Sequence, residues 1–266
     1  MLLVIPFCIK DCKSAWKNIT WAHELEGQLP FDCLLAYDSD VPEAEVKKID
    51  EVARHTFKDV NHLQYAEWMG NPSWPNPQNY AFQTIAWHVI NEIKQPYLFW
   101  EPDAVPIRER WAHDIADEYA ACGKPFLGHI VPGAFQQNSM HLNGVAVYPP
   151  NLHEYSVGLM IPPEGVAWDV AGANGVVQNA RHTSLIMNVW EIDGWNKIVR
   201  SGGIVPSFPD QKVVDAVVDF EAALFHRCKD GSLVDQLRMR RGTKSNSKPM
   251  KQNSRKKARA YSLHIL

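Results

Sequence analysis

Tyr97-Leu98-Phe99-Trp100 runs directly into Glu101-Pro102-Asp103. Four large apolar residues without a polar break predict a strand buried on both faces, the usual state of a strand in a parallel sheet. The triplet after it sets two carboxylates at i and i+2, on one side of an extended chain. Pro102 stiffens the turn between them. Carboxylates so spaced can hold one divalent cation and, through it, a diphosphate. Taken alone, the triplet is equally an ordinary acidic loop at a strand end, so its meaning depends on its surroundings.

Upstream, residues 2–8 form a short apolar run, and FDCLLAY at 31–37 is a second, stopped by Asp38-Ser39-Asp40. Helical spacing occupies residues 15–26, with Trp16, Ile19, Ala22 and Leu25 on one face. A second helix starts at Pro42, with Glu43 and Glu45 in its first turn, and a third covers about 78–93 after the loop GNPSWPNP at 70–77. Residues 108–122 predict a further helix, and 126–130 and 144–148 further strands. Strands thus alternate with amphipathic helices through the first 130 residues. The fold class is α/β, with a mainly parallel, Rossmann-like central sheet and helices on both faces. Ligands of such sheets bind at the carboxyl ends of the strands. Here those ends carry 7–11, 38–40 and 101–103, so acidic residues gather where a site is expected.

The chain has 266 residues, 45% hydrophobic and 21% charged, which excludes global disorder, coiled coil and collagen. The opening MLLVIPFCIKDC is too short to span a bilayer, lacks the features of a cleaved leader, and is broken by Pro6, Lys10 and Asp11. A cytoplasmic protein without a membrane span is expected (host cytoplasm, if a phage encodes it). Five scattered cysteines suit reduced thiols, and Cys8 and Cys12 lack the second pair that a structural zinc needs.

The net charge of −3 conceals two unlike parts. From Gln236 onward there is no Asp or Glu and there are ten Lys and Arg, which leaves 17 Lys and Arg against 30 Asp and Glu in residues 1–235. A body at −13 therefore carries an arm at +10. Such asymmetry predicts either a flexible arm for a polyanion, DNA included, or a tail that folds back on its own acidic body.

The G-x-G-x-x-G turn, the Walker loop and the nucleophile elbow G-x-S-x-G are all absent, which disfavours Rossmann dehydrogenases, P-loop NTPases and α/β-hydrolases. Three later features join the acidic triplet. The run HLNGVAVY at 141–148 sets a polar loop before a strand; Trp168-Asp169 offers a single carboxylate beside a large aromatic; and the apolar run 223–225 ends in His226, with Lys229 three residues on.

In this order, an N-terminal strand, an acid-x-Asp triplet, an Asn-Gly strand, an isolated Asp and a late His with Lys resemble the nucleotide-sugar glycosyltransferases of the glycosyltransferase-A fold. The resemblance covers roughly residues 1–235, and Glu101 stands where the usual triplet has Asp. It implies one catalytic domain over 1–235 and a basic tail over 236–266. It also implies Mn²⁺ or Mg²⁺ held by Asp103, Glu101 on the metal or the ribose, His226 as the late metal ligand, and Lys229 on the diphosphate. Phe7, Lys10, Asp11 and Asp38 would form the nucleoside pocket, for a UDP-sugar donor, and Asn143 would face the donor sugar or the acceptor. Asp169 would be the base of an inverting reaction, with Glu191 and Asp193 as competitors. Apart from the resemblance, Trp74 in the loop GNPSWPNP offers a ring that can stack on a base or sugar and can equally anchor its loop.

The acceptor stays open at this point: a hydroxymethylated base in DNA, as in phage or bacterial DNA-modifying enzymes, or a cell-surface glycan, a lipid or a protein. A nucleotidyltransferase could use a similar sheet and paired carboxylates. The segment after the first strand, PFCIKDCKSAW, lacks the glycine-rich phosphate loop of that class.

Overall fold

The structure, a computed structural model, describes residues 1–131, 140–188, 222–226 and 231–245. The chain opens with β1 (Leu2–Phe7), α1 (Cys12–Glu26), β2 (Cys33–Asp38), α2 (Glu43–Thr56) and β3 (Val60–Tyr65). Next come α3 (Asn76–His88), a π turn (Val89–Ile93), β4 (Tyr97–Phe99), β5 (Val105–Pro106), α4 (Trp111–Cys122), β6 (Phe126–Val131) and β7 (His141–Tyr148). Three single-turn helices follow, α5 (Val157–Met160), α6 (Trp168–Ala171) and α7 (Ala173–Val176). The last elements are β8 (Ala180–His182), β9 (Ile186–Asn188), β10 (Leu224–His226) and α8 (Ser232–Ser245).

Seven strands form one sheet in the order β3-β2-β1-β4-β7-β6-β8, parallel except where β7 runs against β4 and β6. Strand alternation assigns the two cores. Leu3, Ile5 and Phe7 of β1 pack with Ala15 and Ile19 of α1, Ile49 of α2 and Trp111 of α4. Leu2 and Val4 pack on the other face with Phe82 and Ile85 of α3 and with Trp168. Both faces are covered, as the unbroken apolar runs require. A small second sheet, β5-β10-β9, carries the late strand.

Three local expectations are revised. Residues 141–143 are not a loop but the start of β7, buried and paired to β6 through Val131–His141 and Ile130–Leu142. The helix expected from 108 begins at Trp111, because Arg110 is left-handed (φ 62°) and cannot continue a right-handed turn. Strand β3 has no apolar run to announce it; it lies at the sheet edge with most side chains exposed or half-buried.

The boundary expected at 235/236 falls inside α8. Leu233, Val234 and Leu237 are buried there, and the helix lies along α1. Lys17 pairs with Asp235 at 2.7 Å, Arg238 grips Glu24 through two bonds of 2.7 and 2.8 Å, and Arg241 reaches Glu109 at 3.4 Å. At these positions the basic arm folds back on the acidic body. Among the described residues no helix is long and apolar enough to cross a membrane.

Candidate active site

Strand order reverses between β1 and β4, whose chains leave in opposite directions and open a crevice at the carboxyl edge of the sheet. β4 pairs with β1 only along Leu2–Val4, so Pro6 lies beyond the last partner on that side, where a missing N–H is harmless. The crevice is a cavity of about 240 Å³. Phe7, Asp11 and Asp38 line one side of it, Glu101 and Asp103 another, and Trp68, Tyr80 and Trp168 much of the rest.

The acidic triplet turns tightly, with the Ala104 N–H donating to the Glu101 carbonyl at 2.9 Å. Asn18 of α1 holds this turn from beneath, donating its amide to the carbonyls of Pro102 (2.6 Å) and Ala104 (3.1 Å). The Trp100 indole N–H adds a bond to the Ala104 carbonyl at 2.6 Å. Two carboxylates thereby face β10, where His226 ends an apolar strand. Its Nε2 lies 3.1 Å from Glu101 Oε2 and 3.4 Å from Asp103 Oδ1. One ligand atom from each of Glu101, Asp103 and His226 falls within 4.8 Å of the others.

The His226 imidazole is buried, which by itself opposes its charge. The Asp103 carboxylate, and then that of Glu101, outweigh burial and raise its pKa above the ordinary histidine value. Its other nitrogen, Nδ1, is 3.3 Å from the amide nitrogen of Asn188 on β9. The amide nitrogen can only donate, so Asn188 fixes the ring through Nδ1 as acceptor and the neutral ring carries its proton on Nε2, toward the carboxylates; a cation held there would take the place of that proton.

Gly144 completes the cradle: a Cβ there would lie 2.6 Å from Glu101 Oε1 and 3.3 Å from the Trp168 ring. Two oxygens and one nitrogen suit Mn²⁺, and the carboxylate pair suits Mg²⁺. The donor set fits a divalent cation.

Of the other expected residues, Phe7, Asp11 and Asp38 line the cavity, whereas Lys10 is exposed and does not. The Cys8 thiol, also on the wall, donates to Asp11 Oδ2 at 3.0 Å. Burial, followed by the nearby Asp11 charge, pushes its pKa up to about 12. Asp38 is also raised, by partial burial. Asn143 is buried, its Oδ1 accepts the Val145 N–H at 3.2 Å, and it is not among the residues that line the cavity. Asp169 sits in the first turn of α6, half-buried, beside the Trp168 that lines the cavity. Its charge and that of Glu101 both bear on the buried Tyr148 hydroxyl, so both carboxylates lie near that side chain. Lys229, Glu191 and Asp193 lie outside the described residues.

Asn188, Asn18, Tyr65 and Trp68 carry no motif of their own, and Gly144 stands in the Asn-Gly motif without anything there to mark its contact with Glu101. Of these four, Asn188 has a readable signal, a polar residue ending the apolar run Leu185-Ile186-Met187 as His226 ends its own.

The seven-stranded, mainly parallel sheet with helices around it is a glycosyltransferase-A fold, shared with solved structures of that type. No family model and no curated protein matches the sequence. The galactosyltransferase LgtC in complex with donor and acceptor sugar analogues matches 91% of this chain over 96% of its own, at 10% identity and a TM-score of 0.52. An active-site mutant of LgtC matches the same shares at 11% identity and 0.54. The glycosyltransferase GlyE of Streptococcus pneumoniae matches 95% of this chain and 65% of its own, at 10% identity and 0.50. At such identities the likeness establishes the fold.

Proposed function

We propose that this protein is a metal-dependent glycosyltransferase that moves a sugar from a nucleotide-sugar, a UDP-sugar, to a hydroxyl acceptor. One observation carries the reading: Glu101 and Asp103, in the turn between β4 and β5, and His226 at the end of β10 converge on the edge of the crevice at the switch point. Breaking a sugar–phosphate bond leaves growing negative charge on the diphosphate, and four carboxylates bordering this cavity would repel it. Bound Mn²⁺ or Mg²⁺ supplies the Lewis acid that neutralises that charge.

The chain's own residues do the rest. Asp103, Glu101 and His226 form the cation seat; Asn188 and Gly144 keep the imidazole and the Glu101 carboxylate in place. Phe7, Asp11 and Asp38 receive the nucleoside, the carboxylates accepting from base N–H or ribose hydroxyl groups. Trp168, stacked on Phe82 with ring centroids 3.6 Å apart, stiffens the wall between cavity and core. In an inverting reaction Asp169 takes the acceptor proton. Lys229 would add a cation on the diphosphate.

Thermal-shift titration with UDP and UDP-sugars, with and without Mn²⁺, tests the reading. Stabilisation that needs both components is expected, and Asp103→Asn should abolish it while the protein stays folded. Equal stabilisation in EDTA, or wild-type metal dependence in Asp103→Asn, would falsify the site.

A further inference from the structure

The crevice does not end at Trp68 and Tyr80. These two rings separate it from a second groove of about 340 Å³, bordered further on by Gln83, Pro162 and Glu164. Trp68 is 36% exposed, yet it is held in place three ways. Its indole N–H donates to the Asn71 carbonyl at 2.9 Å. Its ring leans on Tyr80 with centroids 5.4 Å apart. Beneath it passes Gly70, where a Cβ would come within 2.4 Å of the indole. A large aromatic fixed at the surface with one side open is a prepared platform, since no ordering of the ring remains for a ligand to impose.

The platform is tied to the chemistry. Asn79 donates to the Val166 carbonyl at 2.8 Å and accepts the Trp168 N–H at 2.9 Å, while Asn76 accepts the Gly165 N–H at 3.3 Å. The groove wall is therefore anchored to the segment that carries Asp169. Charge narrows the ligand. The sequence has no Lys or Arg between Lys58 and Lys94, nor between Lys124 and Arg181, the two stretches that supply both walls of the groove. Glu164 borders it and Glu67 precedes the platform. A phosphate backbone would meet repulsion here. An uncharged pyranose would not: its C–H face can lie on an indole and its hydroxyls can bond an amide or a carboxylate.

Resting on the glycosyltransferase reading, we infer that Trp68 and Tyr80, with Gln83 and Glu164, form an acceptor subsite that binds a ring of an uncharged oligosaccharide. The sugar chain enters along this groove and presents a hydroxyl to the crevice. DNA is not the acceptor at this mouth.

The test uses the full chain on an array of neutral oligosaccharides, with a duplex DNA of about 20 base pairs as the polyanion, a length at which several phosphates can be contacted. At least one neutral oligosaccharide should bind. Trp68→Ala should weaken it about tenfold, near the upper end for loss of one aromatic contact. Gly70→Ala, which pushes the ring out of place, and Gln83→Ala, which removes an amide from the groove alone, should each weaken it as well. Trp68 is at the surface, so these variants should fold, and DNA affinity should not respond to them. The inference is overturned if wild type binds no neutral oligosaccharide, if all three variants bind like wild type, or if Trp68→Ala reduces DNA binding instead. Mn²⁺-dependent hydrolysis of a UDP-sugar by wild type is read in parallel. Hydrolysis without oligosaccharide binding overturns the subsite alone; loss of hydrolysis overturns the donor reading.

Discussion

Gly144 shows how one missing carbon can shape a site. Its α-hydrogen faces the Glu101 carboxylate, and Gly144→Ala would drive a methyl to 2.6 Å from Oε1. The carboxylate, at the end of a flexible side chain, should swing away and leave the fold intact. Mn²⁺ affinity is expected to fall about tenfold or more, as for other residues that orient metal ligands, and calorimetric titration of the variant checks it. An unchanged affinity would mean that Glu101 is not part of the cation seat. Cys8 offers a second measurement. Its pKa of about 12 leaves almost no thiolate at neutral pH, so alkylation by iodoacetamide should be slow in the folded protein and fast in urea. Asp11→Asn should speed it only modestly, because burial is the larger cause. The sign for stability follows from linkage. As the pH rises from about 9, the unfolded chain loses this proton while the folded chain keeps it until about 12, so stability declines across that interval and is unaffected below it.

Among the elements, β10 and α8 matter most together. Gly231 (φ 67°) turns the chain into α8 in a backbone conformation that favours glycine. α8 then fastens to α1 and so tethers the chain just beyond His226. Burial of Leu233, Val234 and Leu237 carries most of this, because exposed ion pairs such as Arg238–Glu24 are worth about 1 kcal/mol or less. Leu237→Ala should cost about 2 kcal/mol in urea unfolding, whereas Arg238→Ala should cost less than half of that. The reverse order would mean that the ion pairs, not the apolar face, hold the helix. The parallel strands β1, β2 and β4 were legible because burial on both faces leaves an unbroken apolar run. β3, at an exposed edge, and β5, two residues long, leave no such trace. The polar start of β7 reads as a loop, since its buried Asn143 satisfies itself on the backbone of its own strand.

For the molecule as a whole, charge sorts the surfaces. The crevice and groove present carboxylates and aromatic rings, while residues 246–266 carry six Lys and Arg and no acid. Truncation after Ser245 should leave Mn²⁺-dependent donor hydrolysis and oligosaccharide binding in place. Whatever affinity the full chain has for DNA should drop, and the slope of log K against log[salt] should flatten by up to about 5, at ~0.9 per phosphate contact. A truncated chain that keeps both affinity and slope would show that these cations touch no phosphate.

From the order of residues alone came the α/β class, the parallel core, the acidic triplet at a strand end and the late histidine, because each is written in a local pattern of apolar runs and polar stops. Whether those groups meet is a different matter. Glu101, in the turn after β4, and His226, on β10 of the second sheet, are 125 positions apart, and nothing local encodes the 3.1 Å between them. The same holds for Asn188 behind the imidazole and for Gly144 beneath the carboxylate. Each is a contact between segments distant in the chain, created by packing, and packing depends on the fold as a whole. Charge behaves likewise. The excess of Lys and Arg after Gln236 is plain in the sequence, but that Arg238 and Arg241 are engaged by Glu24 and Glu109 follows from the way Leu233, Val234 and Leu237 dock α8 on the body of the fold.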